Sequence, residues 1–150
     1  MREAFTERLK AAMRAKDTRA LSTIRLVLTA LKERDVAART AGNPEGIAES
    51  EILRLLQGMV KQRRESIALY EKGNRPELAA QESEEIAIIE SFLPKQLSDA
   101  ELDEAVKAAI AETGAQTAKD MGRVMAALRD KHAGQMDFAK ASGAAKRLLN

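Results

Sequence analysis

Arg63 interrupts a helical run of apolar residues. At 100° per residue, the stretch from Ile52 to Tyr70 puts Arg63 in the middle of its apolar face, between Met59 and Tyr70. The same construction after Pro76 puts Glu82 and Glu85 on the face that carries Leu78 and Ile89. If the chain turns at Gly73–Pro76, Arg63 falls level with Glu85. A charge on an apolar face must be paired or it is very costly. The spacing therefore predicts an ion pair, at least partly buried, between Arg63 and Glu82 or Glu85. Such carboxylates could serve acid–base chemistry, or the pair could latch the register of two helices. No His, Ser or Lys is placed to complete a mechanism, so the latch is the reading adopted.

Other chemistry is sparse. His132 is the only histidine and follows the Met121/Val124/Met125/Leu128 stripe. That position suits a helix C-terminus better than a catalytic base. Without cysteine there is no disulfide framework or thiolate nucleophile, and a lone histidine argues against a transition-metal site. The run Glu82-Ser83-Glu84-Glu85 lacks the glycine and alternation of a calcium loop. Neither a phosphate-binding glycine loop nor a dinucleotide fingerprint occurs, and no Ser–Lys amidase arrangement is recognisable. No catalytic residue, metal or cofactor is expected.

The cations are organised along the chain. Residues 1–44 hold ten Lys/Arg against five Asp/Glu, residues 45–113 eight against fifteen, and residues 114–150 seven against three. Basic ends around an acidic middle suit an anionic partner, or an acidic segment that pairs with the ends inside the fold. Lys119 and Arg123 are expected to point away from the Met121/Met125 face. Lys140, Lys146 and Arg147 add charge along the last helix. With no aromatic surface, these five residues suit phosphate contact with structured RNA more than base stacking. An ordinary solvated surface would carry the same residues. Gly122 and Gly143 each cost about 1 kcal/mol of helix propensity relative to Ala, and close helix approach is the simplest expected reason.

The elements that must position these groups are all helical. Aromatics make up only 3% of the chain, so Leu, Ile, Ala and Met must fill the core. Phe5, Leu9, Ala12 and Met13 form a first stripe, ended near Asp17, which suits an N-cap. Leu21, Ile24, Leu28 and Leu31 form a second, reaching about Arg39. Gly42–Gly46 is a loop. A long helical hairpin follows. Its first arm carries Ile52, Leu55, Leu56, Met59, Ile67 and Tyr70, and its second starts at Pro76 and carries Leu78, Ile86, Ile89 and Phe92. Leu93–Leu97 reads as a joint centred on Pro94. Ser98-Asp99-Ala100-Glu101 has capping-box spacing, and three helices follow, broken at Gly114 and Gly134. Asp137 caps the last, packed by Ala141, Ala144, Ala145 and Leu148. The expectation is an all-α chain with an N-terminal helical domain over 1–93 and a three-helix tail over 94–150. No apolar segment approaches membrane-spanning length and no signal core opens the chain, so a cytoplasmic protein without membrane contact is expected.

Ordered segments of the chain resemble one family. Ser22-Thr23-Ile24-Arg25-Leu26, Lys61-Gln62-Arg63-Arg64-Glu65-Ser66, Gly73-Asn74-Arg75 and Glu82–Ile89 are similar to successive segments of YqeY proteins. So are Phe92-Leu93-Pro94-Lys95-Gln96-Leu97 and Met121-Gly122-Arg123-Val124-Met125. The tail over about 98–150 also resembles the C-terminal domain of the B subunit (GatB) of the tRNA-dependent Asp/Glu-tRNA amidotransferase, though Phe138 and Gly143 depart from the generic tail. In that enzyme the tail is a helical module that contacts tRNA, while other domains carry out phosphorylation and ammonia use.

The resemblance implies a non-catalytic tRNA-interacting or amidotransferase-associated adaptor. By it, Lys119, Arg123, Lys146 and Arg147 become candidate tRNA contacts alongside Lys140. It also implies an alternative, an accessory component of a glutamine-dependent carbon–nitrogen ligase that is active only with partner subunits. A protein–protein module with an acidic partner is the third reading. The partners implied are tRNA, amidotransferase subunits or an aminoacyl-tRNA synthetase.

Overall fold

The computed structural model describes residues 1–150 as seven α-helices with no strand. They are α1 (Arg2–Ala15), α2 (Thr18–Thr40), α3 (Glu49–Lys72), α4 (Pro76–Glu90), α5 (Asp99–Thr113), α6 (Met121–His132) and α7 (Phe138–Leu149). A 3-10 turn at Ala118–Asp120 leads into α6. None of the helices is long and apolar enough to cross a membrane. The chain divides into two compact units, Met1–Leu93 and Pro94–Asn150.

Local chemistry sets the ends of the elements. Asp17 caps α2 by accepting from the Ala20 N–H at 3.1 Å. Pro76 opens α4, where its missing N–H costs nothing. The turn before it places Asn74 in the left-handed region at φ 55°, a conformation asparagine tolerates better than most residues. Ser98 and Glu101 close a reciprocal capping box on α5, and Gly114 ends it in the left-handed conformation. Asp137 caps α7.

In the first unit, α3 and α4 form the hairpin, with α2 packed on α4 and α1 on α2. Phe5, Val27, Leu31, Ile52, Leu56, Val60, Ile86 and Ile89 form its main core, and Ala12, Ala20 and Ile24 a smaller one. The Phe5 and Phe92 rings meet edge to face with centroids 4.7 Å apart. Phe92 does so from beyond the end of α4, which stops at Glu90, two residues earlier than its place in the expected stripe. Met13 is 53% exposed and not part of the core.

In the second unit, α5, α6 and α7 pack on one another around Leu102, Val106, Val124, Leu128, Met136, Ala141 and Ala145. Leu149 is buried in the place expected for Leu148, which is 48% exposed. The segment Pro94–Leu97 is pinned to the α6–α7 turn. The Leu97 N–H donates to the Gln135 carbonyl at 2.9 Å, and the Gln96 amide donates to the Gly134 carbonyl at 2.6 Å. Close helix approach does not explain Gly122 or Gly143. A Cβ at either would meet nothing within 4 Å, because both lie on exposed helix faces.

Candidate nucleic-acid interface

The tail candidates differ in how far the fold already uses them. Asp120 begins this pattern. Its carboxylate accepts from the backbone N–H groups of Gln116 at 2.9 Å and Thr117 at 3.2 Å. Arg123, one turn later on α6, donates to the other Asp120 oxygen at 2.7 Å and to the Thr113 carbonyl at 3.0 Å. Thr113 is the last residue of α5, so the guanidinium ties the end of one helix to the start of the next. These donors hold the Asp120 carboxyl down to about 2, the Gln116 N–H contributing most and Arg123 next. Arg123 therefore points outward, as its helical position predicts, but its fork is engaged within the fold.

Lys140 lies 3.8 Å from the Asp99 carboxylate, a loose and exposed pair. Arg129 sits over the Phe138 ring at 5.7 Å, and Lys131 pairs with Glu112 at 3.0 Å. Lys119, Lys146 and Arg147 remain exposed and form no ion pair. Lys140 and Arg147 share one face of α7 with Gly143 between them, while Lys146 stands on the adjoining side. Lys119 stands on the 3-10 turn.

His132 is the last residue of α6. Its Nδ1 lies 2.9 Å from Gln135 Oε1, and the Gln135 amide nitrogen donates to the Lys95 carbonyl at 3.3 Å. With its amide nitrogen so used, Gln135 presents an acceptor, which puts the imidazole proton on Nδ1. The ring lines a shallow cavity of about 490 Å³ with Leu97, Ala100, Glu101, Glu104 and Ala105. No group of three or more His, Cys, Asp or Glu converges on a point that could hold a metal.

In the first unit Arg63 and the two glutamates come together. The Arg63 Nε donates to Glu85 at 3.0 Å and lies 3.9 Å from Glu82. Arg63 also donates to the Met59 carbonyl at 3.3 Å. Glu85 is buried, and its second oxygen lies 3.9 Å from Arg19 of α2. Burial raises Glu82 above the ordinary glutamate range, the Glu85 charge adds to this, and Arg63 opposes it. The group joins three helices.

Sequence reasoning missed a second ion pair, one whose carboxylate is buried. Asp35 of α2 is buried and accepts from Arg2 at 2.7 Å and from the Ile47 N–H at 2.9 Å. Arg2 also donates to the Ile47 carbonyl at 2.8 Å. The Arg2 hydrogen bond pulls the Asp35 carboxyl below its ordinary range, against the opposing effect of burial. Gly46 has φ +85°, and a Cβ there would collide with the Asp35 carboxylate. The available signal was that Asp35 continues the Val27–Leu31 row at i+4 spacing, on the face that must be buried.

The sequence is similar to those of known proteins. The altered inheritance of mitochondria protein 41, mitochondrial, of Vanderwaltozyma polyspora is 33% identical over 85 residues, covering 57% of this chain and 44% of that protein. Its counterpart from Lachancea thermotolerans is 33% identical over 106 residues, 69% of this chain and 54% of that one. The Kluyveromyces lactis counterpart is 32% identical over 89 residues, 59% and 46% of the two chains. The chain thus spans about half the length of these relatives. A family model described as Yqey-like protein matches residues 2–149, both units together, and the chain therefore belongs to the YqeY-like protein family.

Proposed function

We propose that this YqeY-like chain is a non-catalytic adaptor that contacts tRNA, or a tRNA-handling amidotransferase, through its second unit. The observation that carries the reading is the set of exposed, unpaired cations Lys119, Lys146 and Arg147, beside others of the same unit that are already neutralised. Free cations on a helical surface gain most from phosphates, through release of the counterions condensed on the nucleic acid. Arg123 is a weaker candidate than its outward position suggests, because recruiting its guanidinium would open the joint to Thr113 and Asp120. The likeness of the tail to the amidotransferase B subunit supports the same reading. It also supports the runner-up, an accessory role in glutamine-dependent carbon–nitrogen ligation with partner subunits. A cytoplasmic location belongs to the proposal as well; the relatives above carry "mitochondrial" in their names.

Binding of total tRNA at several salt concentrations tests the adaptor. Affinity is expected to fall steeply with salt. Each of Lys119→Gln, Lys146→Gln and Arg147→Gln should lower the slope of log affinity against log salt by about one. Binding that ignores salt, or no binding, overturns the reading. Glutamine-dependent amidation by the purified chain alone would overturn its non-catalytic part.

A further inference from the structure

We infer that Arg34, Arg54 and Gln62 form a binding site for a phosphate group on the first unit, independent of the tail cations. Arg54, Gly58 and Gln62 follow one another at i, i+4 and i+8 along α3, so they line a single face. Leu55 and Met59, both half-buried, form the adjoining row. Arg34 of α2 completes the wall of a cavity of about 300 Å³ bounded by these six residues.

No carboxylate lines this cavity. Arg2, Arg19, Arg63, Arg64 and Arg75 each lie within 3.1 Å of a carboxylate oxygen. Arg34 and Arg54 have no such partner and converge on the same space. Two like charges lining one cavity repel unless an anion lies between them. Their planar forks match the oxygens of a phosphate, and the Gln62 amide can add a further donor. Leu55 and Met59 give the cavity an apolar flank.

Gly58 is the independent observation. It sits inside a 24-residue helix, where glycine costs about 1 kcal/mol relative to Ala. A Cβ there would touch nothing within 4 Å, so no neighbouring helix requires its absence. What the missing side chain does is keep the floor of the cavity open between Arg54 and Gln62. The volume is at the small end for a ligand site. It has room for a phosphate group. The phosphate could be that of a small monoester or one in an RNA chain.

Calorimetric titration of the full chain separates these sources. Inorganic phosphate is the first probe and a short single-stranded RNA the second, with sodium chloride at matched ionic strength as control. Arg34→Gln and Arg54→Gln should each weaken binding by about tenfold or more. Both arginines are exposed and unpaired, so the fold should survive. Gly58→Leu should abolish binding while thermal stability holds or rises. Phosphate binding with this dependence supports the site with a small-molecule source. RNA binding alone, weakened by the same variants, supports it with a nucleic-acid source. Binding of neither probe, or binding indifferent to both arginine variants, overturns it. RNA binding lost only in the Lys119/Lys146/Arg147 variants overturns this site and leaves the tail reading standing.

Discussion

Arg63 and Glu85 meet across the α3–α4 hairpin at 3.0 Å, with 12% and 11% of their side chains exposed. Glu85 also faces Arg19 of α2, so one carboxylate spans three helices. The apolar stripes of α3 and α4 could slide by a turn and still bury Leu and Ile against one another. A slide of about 5.4 Å would instead part Arg63 from Glu85, its 3.0 Å partner. The pair therefore favours the observed register.

Breaking this pair from one side should be costly. Arg63→Met leaves Glu82 and Glu85 close together with Arg19 as their only nearby cation, and is expected to cost about 2–4 kcal/mol in urea denaturation. Adding Glu85→Met to it should recover much of that loss, giving a coupling of at least about 1 kcal/mol in the double-mutant cycle. Strict additivity would show that the two side chains do not interact in solution.

Glu82 offers a pH test with a definite sign. Its folded-state pKa is raised above the ordinary 4.5 by burial and by Glu85. Between the unfolded and folded values the native state holds more protons, so this group makes stability fall as pH rises through that window. Above the window the penalty is constant; below the ordinary value it is absent. Glu82→Gln should therefore stabilise the chain at pH 7 by about 0.5–1 kcal/mol. The advantage should vanish below about pH 4. A gain that persists unchanged into acid would assign the effect to something other than ionisation.

Much of this was legible because a 3.6-residue period turns a misplaced charge into a structural statement. Arg63 against Glu82 or Glu85 followed from that rule together with the turn at Gly73–Pro76. Asp35 obeyed the same rule and could have been found from the Val27–Leu31 row, but its partner could not. Arg2 reaches it only because the loop around Gly46 brings the Ile47 backbone to the same carboxylate. Such loop geometry has no period to read. The faces failed at helix ends. Met13 and Leu148 lie in last turns, where a small angular drift decides which residue is inside, and Leu149 is buried in place of Leu148. Outward direction was read correctly for Arg123, yet an outward cation can still be claimed by an acid at i−3 and by the carbonyl end of a preceding helix.

The exposed glycines of the second unit give a test in the stabilising direction. Neither Gly122 nor Gly143 leaves room that a neighbour occupies, and neither has positive φ. Gly143→Ala, in the body of α7, should add about 1 kcal/mol, and Gly122→Ala, in the first turn of α6, roughly half of that. Thermal melts of the two variants check the order. If Gly143→Ala holds its stability gain but weakens tRNA binding, the bare backbone between Lys140 and Arg147 belongs to the interface.

Asp120 should be the clearest acid reporter in the chain. Its carboxyl is held at about 2, against an ordinary 3.8, by the Gln116 and Thr117 N–H groups and by Arg123. A depressed folded-state value means that its contribution is fully present above about pH 4 and is lost as pH falls towards 2. The Asp120 carboxyl carbon, followed by NMR, should show a midpoint near 2. Arg123→Gln should raise that midpoint only part of the way, because the largest contribution comes from Gln116 and persists. Asp120→Asn should flatten the acid limb of the stability curve. It should also loosen the Arg123 contact with the Thr113 carbonyl, freeing a guanidinium that the native fold keeps for itself. If tRNA affinity rises in that variant, Arg123 is a latent phosphate contact that Asp120 holds in reserve. An unchanged affinity would assign Arg123 to the joint between α5 and α6 alone.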